Sequence, residues 1–128
     1  MITCFLVDDD FDDKDFFEMA LGQINKEFNV YFAENGRKGL NLLATLQPKP
    51  DVIFVDLNMP LIGGLEFLAE LKQTENKDIP VIIYSTSDEK YFQQKALESG
   101  ASGYLVKSST MRSLQEGIAK RLTELNLI

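Results

Sequence analysis

The sequence predicts an α/β domain: a five-stranded parallel sheet with helices on both faces. Three observations carry that prediction. Ile2–Val7, Val52–Val55 and Val81–Tyr84 are near-continuous apolar runs without the alternation of a half-exposed strand, the pattern of strands buried on both faces. Each run is followed by apolar residues at helical spacing, and a regular strand–helix alternation favours parallel pairing through right-handed crossovers. Each run also stops abruptly at polar residues: Asp8-Asp9-Asp10, Asp56 and Ser85-Thr86-Ser87.

The first strand, Ile2–Val7, is followed by Phe16, Met19, Ala20 and Ile24 at helical spacing, supported by Phe17 and Leu21. Asp12 and Asp13 suit the start of that helix, where carboxylates meet free N–H groups and the positive end of the dipole. Asp10, Asp12, Asp13 and Asp15 read as helix-start and solvated charges rather than as further ligands. Phe28–Ala33 alternates only in part and reads as a strand nearer a sheet edge. Asn35-Gly36 reads as a turn, and Leu40, Leu43 and Ala44 mark a helix ending before Pro48 and Pro50.

Val52–Val55 runs into Asp56, and Pro60 with Gly63-Gly64 stops the strand and permits a tight turn. Leu65, Leu68, Ala69 and Leu71 mark the third helix. After Val81–Tyr84, Thr86 and Glu89 have the spacing of a capping box for a short helix carrying Phe92, Ala96 and Leu97, which stops at Gly100. Gly103–Val106 is a brief last strand delivering Lys107. Met111, Leu114, Ile118, Leu122 and Leu125 form the stripe of a closing helix, with Arg112, Lys120 and Arg121 expected on its solvated face. The three apolar strands belong in the middle and the other two at the edges, which fits the order 2-1-3-4-5 of flavodoxin-like sheets.

Bulk properties exclude several function classes. A chain of 128 residues is expected to be one domain, residues 1–128, with no output domain. At that size roughly two-thirds of the unfolded surface is buried, so neither disulfide nor structural metal is required. Cys4, the only cysteine, sits inside an apolar run and reads as an inert buried thiol. No apolar run approaches the roughly 20 residues of a membrane span, and no basic signal-peptide region precedes Asp8, so a cytoplasmic location away from membranes is expected. The net charge of −7 argues against nucleic-acid binding. Histidine is absent, which removes Ser-His-Asp chemistry, His-ligated zinc and a phosphohistidine on this chain.

In a parallel sheet the carboxyl ends of the strands share one rim, where ligands bind. Asp8 and Asp9, Asp56, Ser85 and Lys107 follow four different strands and should meet there. Crowded carboxylates repel unless a cation joins them. Mg²⁺ takes oxygen ligands and keeps several waters, so a few carboxylates suffice. A phosphoryl group is the natural occupant of the remaining positions, since its oxygens need positive charge and donors around them. Asp56 then reads as the nucleophile, Lys107 as a neutralising cation and Ser85 as a hydrogen-bond donor.

Four motifs now stand in order, each at a strand end: Val7-Asp8-Asp9-Asp10, Asp56-Leu57-Asn58-Met59-Pro60-Leu61-Ile62-Gly63-Gly64, Ser85-Thr86, and Gly100-Ala101-Ser102-Gly103-Tyr104-Leu105-Val106-Lys107. With them the chain resembles, over essentially its whole length, the response-regulator receiver domains of bacterial two-component signalling, in particular stand-alone ones like the chemotaxis regulators. The resemblance implies that Asp56 accepts a phosphoryl group from the phosphohistidine of a sensor kinase or phosphotransfer protein. It implies Mg²⁺ held by Asp8, Asp9, Asp56 and the backbone carbonyl of Asn58. Ser85 and Tyr104 match the switch pair, whose hydroxyl moves toward the phosphate while the aromatic ring turns inward, remodelling a face where a separate effector or phosphocarrier docks. Such a protein is a signalling switch rather than a turnover enzyme, although it gains and loses its own phosphate.

The chain departs from the family at Ser108, where proline usually follows the lysine; a non-proline cis bond costs about 3 kcal/mol, so Lys107–Ser108 is expected to be trans. Two alternatives stand beside the main reading. A haloacid-dehalogenase-type phosphatase would put the nucleophile on the first strand, at Asp8. A degenerate receiver would act only as a binding module, against which the complete acidic set argues. An EF-hand starting at Asp8 is rejected, because Asp13 stands where that loop needs glycine and Met19 where it needs glutamate.

Overall fold

The computed structural model describes all 128 residues, Met1–Ile128. Strands and helices alternate: β1 (Ile2–Val7), α1 (Phe11–Gly22), β2 (Phe28–Ala33), α2 (Gly36–Thr45), β3 (Val52–Asp56), α3 (Gly64–Leu71), β4 (Val81–Ser85), α4 (Lys90–Glu98), β5 (Gly103–Val106) and α5 (Met111–Glu124). The strands form one sheet in the order β2-β1-β3-β4-β5, and every pairing is parallel. This is the flavodoxin-like arrangement expected from the sequence, with the three apolar strands inside and β2 and β5 at the edges. No helix is long and apolar enough to cross a membrane.

Successive side chains of a strand point to opposite faces, so each central strand feeds two cores. Phe5, Val7, Ile53, Val55, Val81 and Ile83 pack with Leu43, Phe67, Leu68, Leu71 and Ala96, under α2, α3 and α4. Cys4, Leu6, Val52, Phe54, Ile82 and Tyr84 pack with Phe17, Ala20, Leu21, Leu114, Ile118 and Leu122, under α1 and α5. The α5 stripe faces this core as its spacing predicts, with Leu114, Ile118 and Leu122 buried and Met111 and Leu125 partly so. Burial pushes the Cys4 thiol up to about 12, in keeping with an inert thiol.

Several local expectations are corrected. In α1 the buried face is Phe17, Ala20 and Leu21; Met19, about 200° around the helix from Phe17, is exposed. Ala44, Ala69 and Leu97 also face outward, and Phe67 fills the core beside Leu68. Asn35 is not a free turn but the N-cap of α2, accepting the Lys38 N–H at 2.8 Å. The Thr86–Glu89 capping box does not form. Glu89 is itself the N-cap residue of α4 without a side-chain cap bond, and its N–H goes to Ser87 Oγ at 3.3 Å. Arg121 is not a solvated charge: its guanidinium donates to the Tyr104 carbonyl at 2.9 Å and pairs with Glu124. A long cation lying across an edge strand satisfies main-chain oxygen that water would otherwise take.

Candidate functional site

Register assembles the rim. Val7 lies opposite Val55, which brings Asp8, the next residue, alongside Asp56. Asp56 lies opposite Tyr84 and Ser85 opposite Val106, so Lys107 emerges next to the end of β4, where its N–H donates to the Ser85 carbonyl at 2.6 Å. The β3–α3 turn must then clear the strand end. Gly64 does this: a Cβ there would stand 2.5 Å from the Asp56 carbonyl oxygen, so no larger residue fits without moving backbone.

One carboxylate oxygen each from Asp8, Asp9 and Asp56 lies within 4.8 Å of the others, a grouping that suits a divalent cation. The three acids differ in surroundings. Asp8 is fully buried, with Oδ1 accepting the Asp10 N–H at 3.0 Å and Oδ2 accepting from Lys107 at 2.9 Å. Asp56 is nearly buried, and its Oδ1 takes a long 3.4 Å contact from the Asn58 N–H. Asp9 is exposed and forms the open side of the cluster.

Burial raises the carboxyls of both Asp8 and Asp56, the latter to about 6, despite the opposing pull of Lys107. Ionised acids held at such a cost are what a hard cation compensates, so the residues fit Mg²⁺ in donor type, number and charge. Asn58 lies exposed at the same rim.

Lys107 is the hub. Its ammonium is 2.7 Å from Asp13 Oδ2, 2.9 Å from Asp8 Oδ2 and 3.6 Å from Asp56 Oδ2, and it sits 5.0 Å above the Tyr84 ring. Burial disfavours its charge, but the bonds to Asp13 and Asp8 outweigh that and hold its pKa above the ordinary lysine range. Lys107–Ser108 is not among the cis bonds, as expected of a non-proline peptide.

Ser85 is buried at the end of β4, and its Oγ accepts the Ser87 N–H at 3.1 Å, which leaves the hydroxyl proton free. Tyr104 is also buried, and its hydroxyl donates to the Ser87 carbonyl at 2.8 Å. Ser85 and Tyr104 are thus tied to the two sides of one residue, Ser87.

Every residue placed at this rim by the sequence is found there. Two participants, Asp13 and Tyr84, are not legible in it, and neither is the main-chain role of Ser87. Asp13, expected as a helix-start charge, is the nearest partner of Lys107; the cap role belongs to Asp10, whose Oδ1 accepts from the N–H groups of Asp12 and Asp13. Tyr84 supplies an aromatic face beneath the ammonium, and Ser87 bridges through its main chain. The only signal for Tyr84 was its place at a strand end, and Asp13 was hidden among several neighbouring acids.

Comparison with known proteins agrees with this geometry. Residues 4–119 match the response regulator receiver domain. The transcriptional regulatory protein YdfI of Bacillus subtilis is 39% identical over 82 residues, covering 64% of this chain and 37% of YdfI. The response regulator GacA of Pseudomonas aeruginosa is 34% identical over 86 residues, 67% of this chain and 39% of GacA. The chain therefore spans less than two-fifths of the length of these two regulators. Among solved structures, the phosphorylated cyanobacterial phytochrome response regulator RcpA superposes with a TM-score of 0.84 at 26% identity, covering 99% of this chain and 96% of RcpA. The Mn²⁺-bound response regulator Rcp1 gives 0.80 at 26% identity, covering 96% of this chain and 93% of its own. Chemotaxis response regulator CheY4 of Vibrio cholerae gives 0.81 at 26% identity, covering 95% and 99%. Sheet order, rim chemistry and these likenesses converge: the chain belongs to the response regulator receiver domain family of two-component signalling.

Proposed function

We propose that this receiver domain is a phosphoacceptor, with Asp56 taking a phosphoryl group from the phosphohistidine of a sensor kinase or phosphotransfer protein in the cytoplasm. The observation that carries the reading is the division of labour among the acids. Both oxygens of Asp8 are engaged, by the Asp10 N–H and by Lys107, whereas Asp56 has only a long 3.4 Å hydrogen-bond contact and a 3.6 Å ion-pair approach. Of these two strand-end acids, the free nucleophile is therefore Asp56. That favours a receiver over a phosphatase using Asp8.

An oxygen of ionised Asp56 attacks phosphorus, and the bond from phosphorus to the histidine nitrogen breaks with its electron pair leaving on the imidazole. Asp8, Asp9, Asp56 and the Asn58 carbonyl would hold Mg²⁺, which when bound supplies positive charge to the phosphoryl oxygens and lowers the cost of ionising the acids. Rcp1 has been solved with Mn²⁺ and RcpA in a phosphorylated state, and by likeness both support this assignment. Lys107 brings a cation to the same oxygens, and the Ser85 hydroxyl offers its free proton to one of them. If Ser85 turns toward the phosphoryl group, its bond to the Ser87 N–H is lost, and Tyr104, bound to the other side of Ser87, responds. Phosphorylation thus shifts the population of the β4–α4 loop and the face beside it, where a separate effector or phosphocarrier docks.

The test is covalent labelling. Acetyl phosphate with Mg²⁺ should add one phosphoryl group per chain by intact mass, and Asp56→Asn should abolish it. Undiminished labelling of that variant would move the chemistry to another residue.

A further inference from the structure

We propose that Asp13 is a displaceable counter-ion of Lys107, a positioning residue on α1 that holds the ammonium in the unmodified protein and releases it to an anionic group arriving on Asp56. This rests on the reading of Asp56 as phosphoacceptor.

An ammonium has three N–H donors. Two are committed, to Asp13 at 2.7 Å and to Asp8 at 2.9 Å, while Asp56 at 3.6 Å is beyond hydrogen-bond range. The shortest contact therefore goes to a residue outside the acidic metal cluster. One donor is uncommitted, and an anion on Asp56 that takes it competes with both anchors for a single ammonium, so the anchor more easily replaced loosens.

Burial decides which. Asp8 has a side-chain exposure of 0%, so no water takes up the oxygen that a departing ammonium leaves. The Asp13 side chain is 34% exposed, so water takes up the vacated oxygen. Asp13 also lies in the first turn of α1, where the helix dipole continues to favour its charge after release. The exposed anchor leaves, and the buried one stays.

Two measurements test this with beryllofluoride plus Mg²⁺ as the probe for an anion on Asp56. First, Asp13→Asn should tighten beryllofluoride binding roughly two- to fivefold, the scale of a partly exposed ion pair. Asp12→Asn, which removes the same charge from a neighbour that makes no ion pair with Lys107, should change it less than about twofold. Second, the carbon-13 signal of the Asp13 carboxylate should move toward that of a solvated carboxylate when beryllofluoride binds the unmutated protein. Unchanged or weaker binding in Asp13→Asn, an equal gain in Asp12→Asn, or a stationary Asp13 signal would each overturn the proposal. Failure of the phosphoacceptor reading looks different: the unmutated protein would not bind the probe, or Asp56→Asn would bind it equally well.

Discussion

The Lys107 ammonium stands 3.6 Å from Asp56 Oδ2, near enough to attract and too far to hydrogen-bond. Two of its three donors are held by Asp13 and Asp8 and the third reaches no carboxylate, so Asp56 feels the charge without being bonded by it. Burial then dominates, and its carboxyl is raised from 3.8 to about 6. The acceptor is kept bare and dear to ionise.

That shift makes stability depend on pH with a definite sign. Between pH 4 and 6 the native state binds more protons at Asp56 than the unfolded chain does, so this group's contribution falls as pH rises and its full cost is present above about 6. The cost is at most about 3 kcal/mol. Asp56→Asn should therefore raise the urea midpoint of metal-free protein at pH 7 and leave it nearly unchanged at pH 4. Equal gains at both pH values would show that the carboxyl is not perturbed.

Magnesium should oppose the same trend. A cation that binds only the folded protein adds stability that grows as the logarithm of its concentration over its dissociation constant, so Mg²⁺ should raise the melting temperature more at pH 7 than at pH 5, where Asp56 holds a proton. Calorimetric scans with and without the ion provide the check. A pH-independent increment would place the binding elsewhere.

Asp9 and Asp10 are adjacent acids with separable roles. Asp9→Asn should weaken Mg²⁺ binding by at least about tenfold, as expected for loss of a charged ligand. Asp10→Ala removes the α1 cap and should cost about 1 kcal/mol in chemical denaturation while leaving Mg²⁺ affinity largely in place. Titration calorimetry and urea melts of the two variants separate ligand from cap.

Tyr104→Phe deletes the hydroxyl bonded to the Ser87 carbonyl. The expected cost is about 1 kcal/mol, accompanied by faster amide exchange at Ser87 and its neighbours. Lys107→Ala should still accept phosphate from acetyl phosphate, but without the change in exchange along the β4–α4 loop that phosphorylation causes in the unmutated protein. A normal loop response in phosphorylated Lys107→Ala would remove Lys107 from the coupling.

Leu61 is strained with no packing to offset it: φ is 72° and the side chain is 80% exposed. Left-handed backbone costs a residue of this kind about 1 kcal/mol, and asparagine tolerates it better. Leu61→Asn should raise stability by up to that amount in a urea melt, with labelling at Asp56 retained.

Sheet order and the membership of the rim were legible because burial on both faces leaves an unbroken apolar run, and because parallel strands send their carboxyl ends to one edge. Asp8, Asp56 and Ser85 each close such a run and Lys107 closes the short edge strand, so their meeting needed no coordinates. Helix faces were less legible. Phe16, Met19 and Ile24 share a spacing with Ala20, and the phase is set only when α1 docks on the sheet beside α5.

Lys107 marks the boundary between the two kinds of knowledge. Chain order alone identifies it as the cation at the end of the last strand, because strand ends are a one-dimensional property. Its choice of Asp13 over Asp56 depends on sub-ångström differences among three acids brought in by β1, α1 and β3, and on which of them water can reach. No spacing encodes either quantity; they exist only after the sheet, the first turn of α1 and the loop after β5 have packed together.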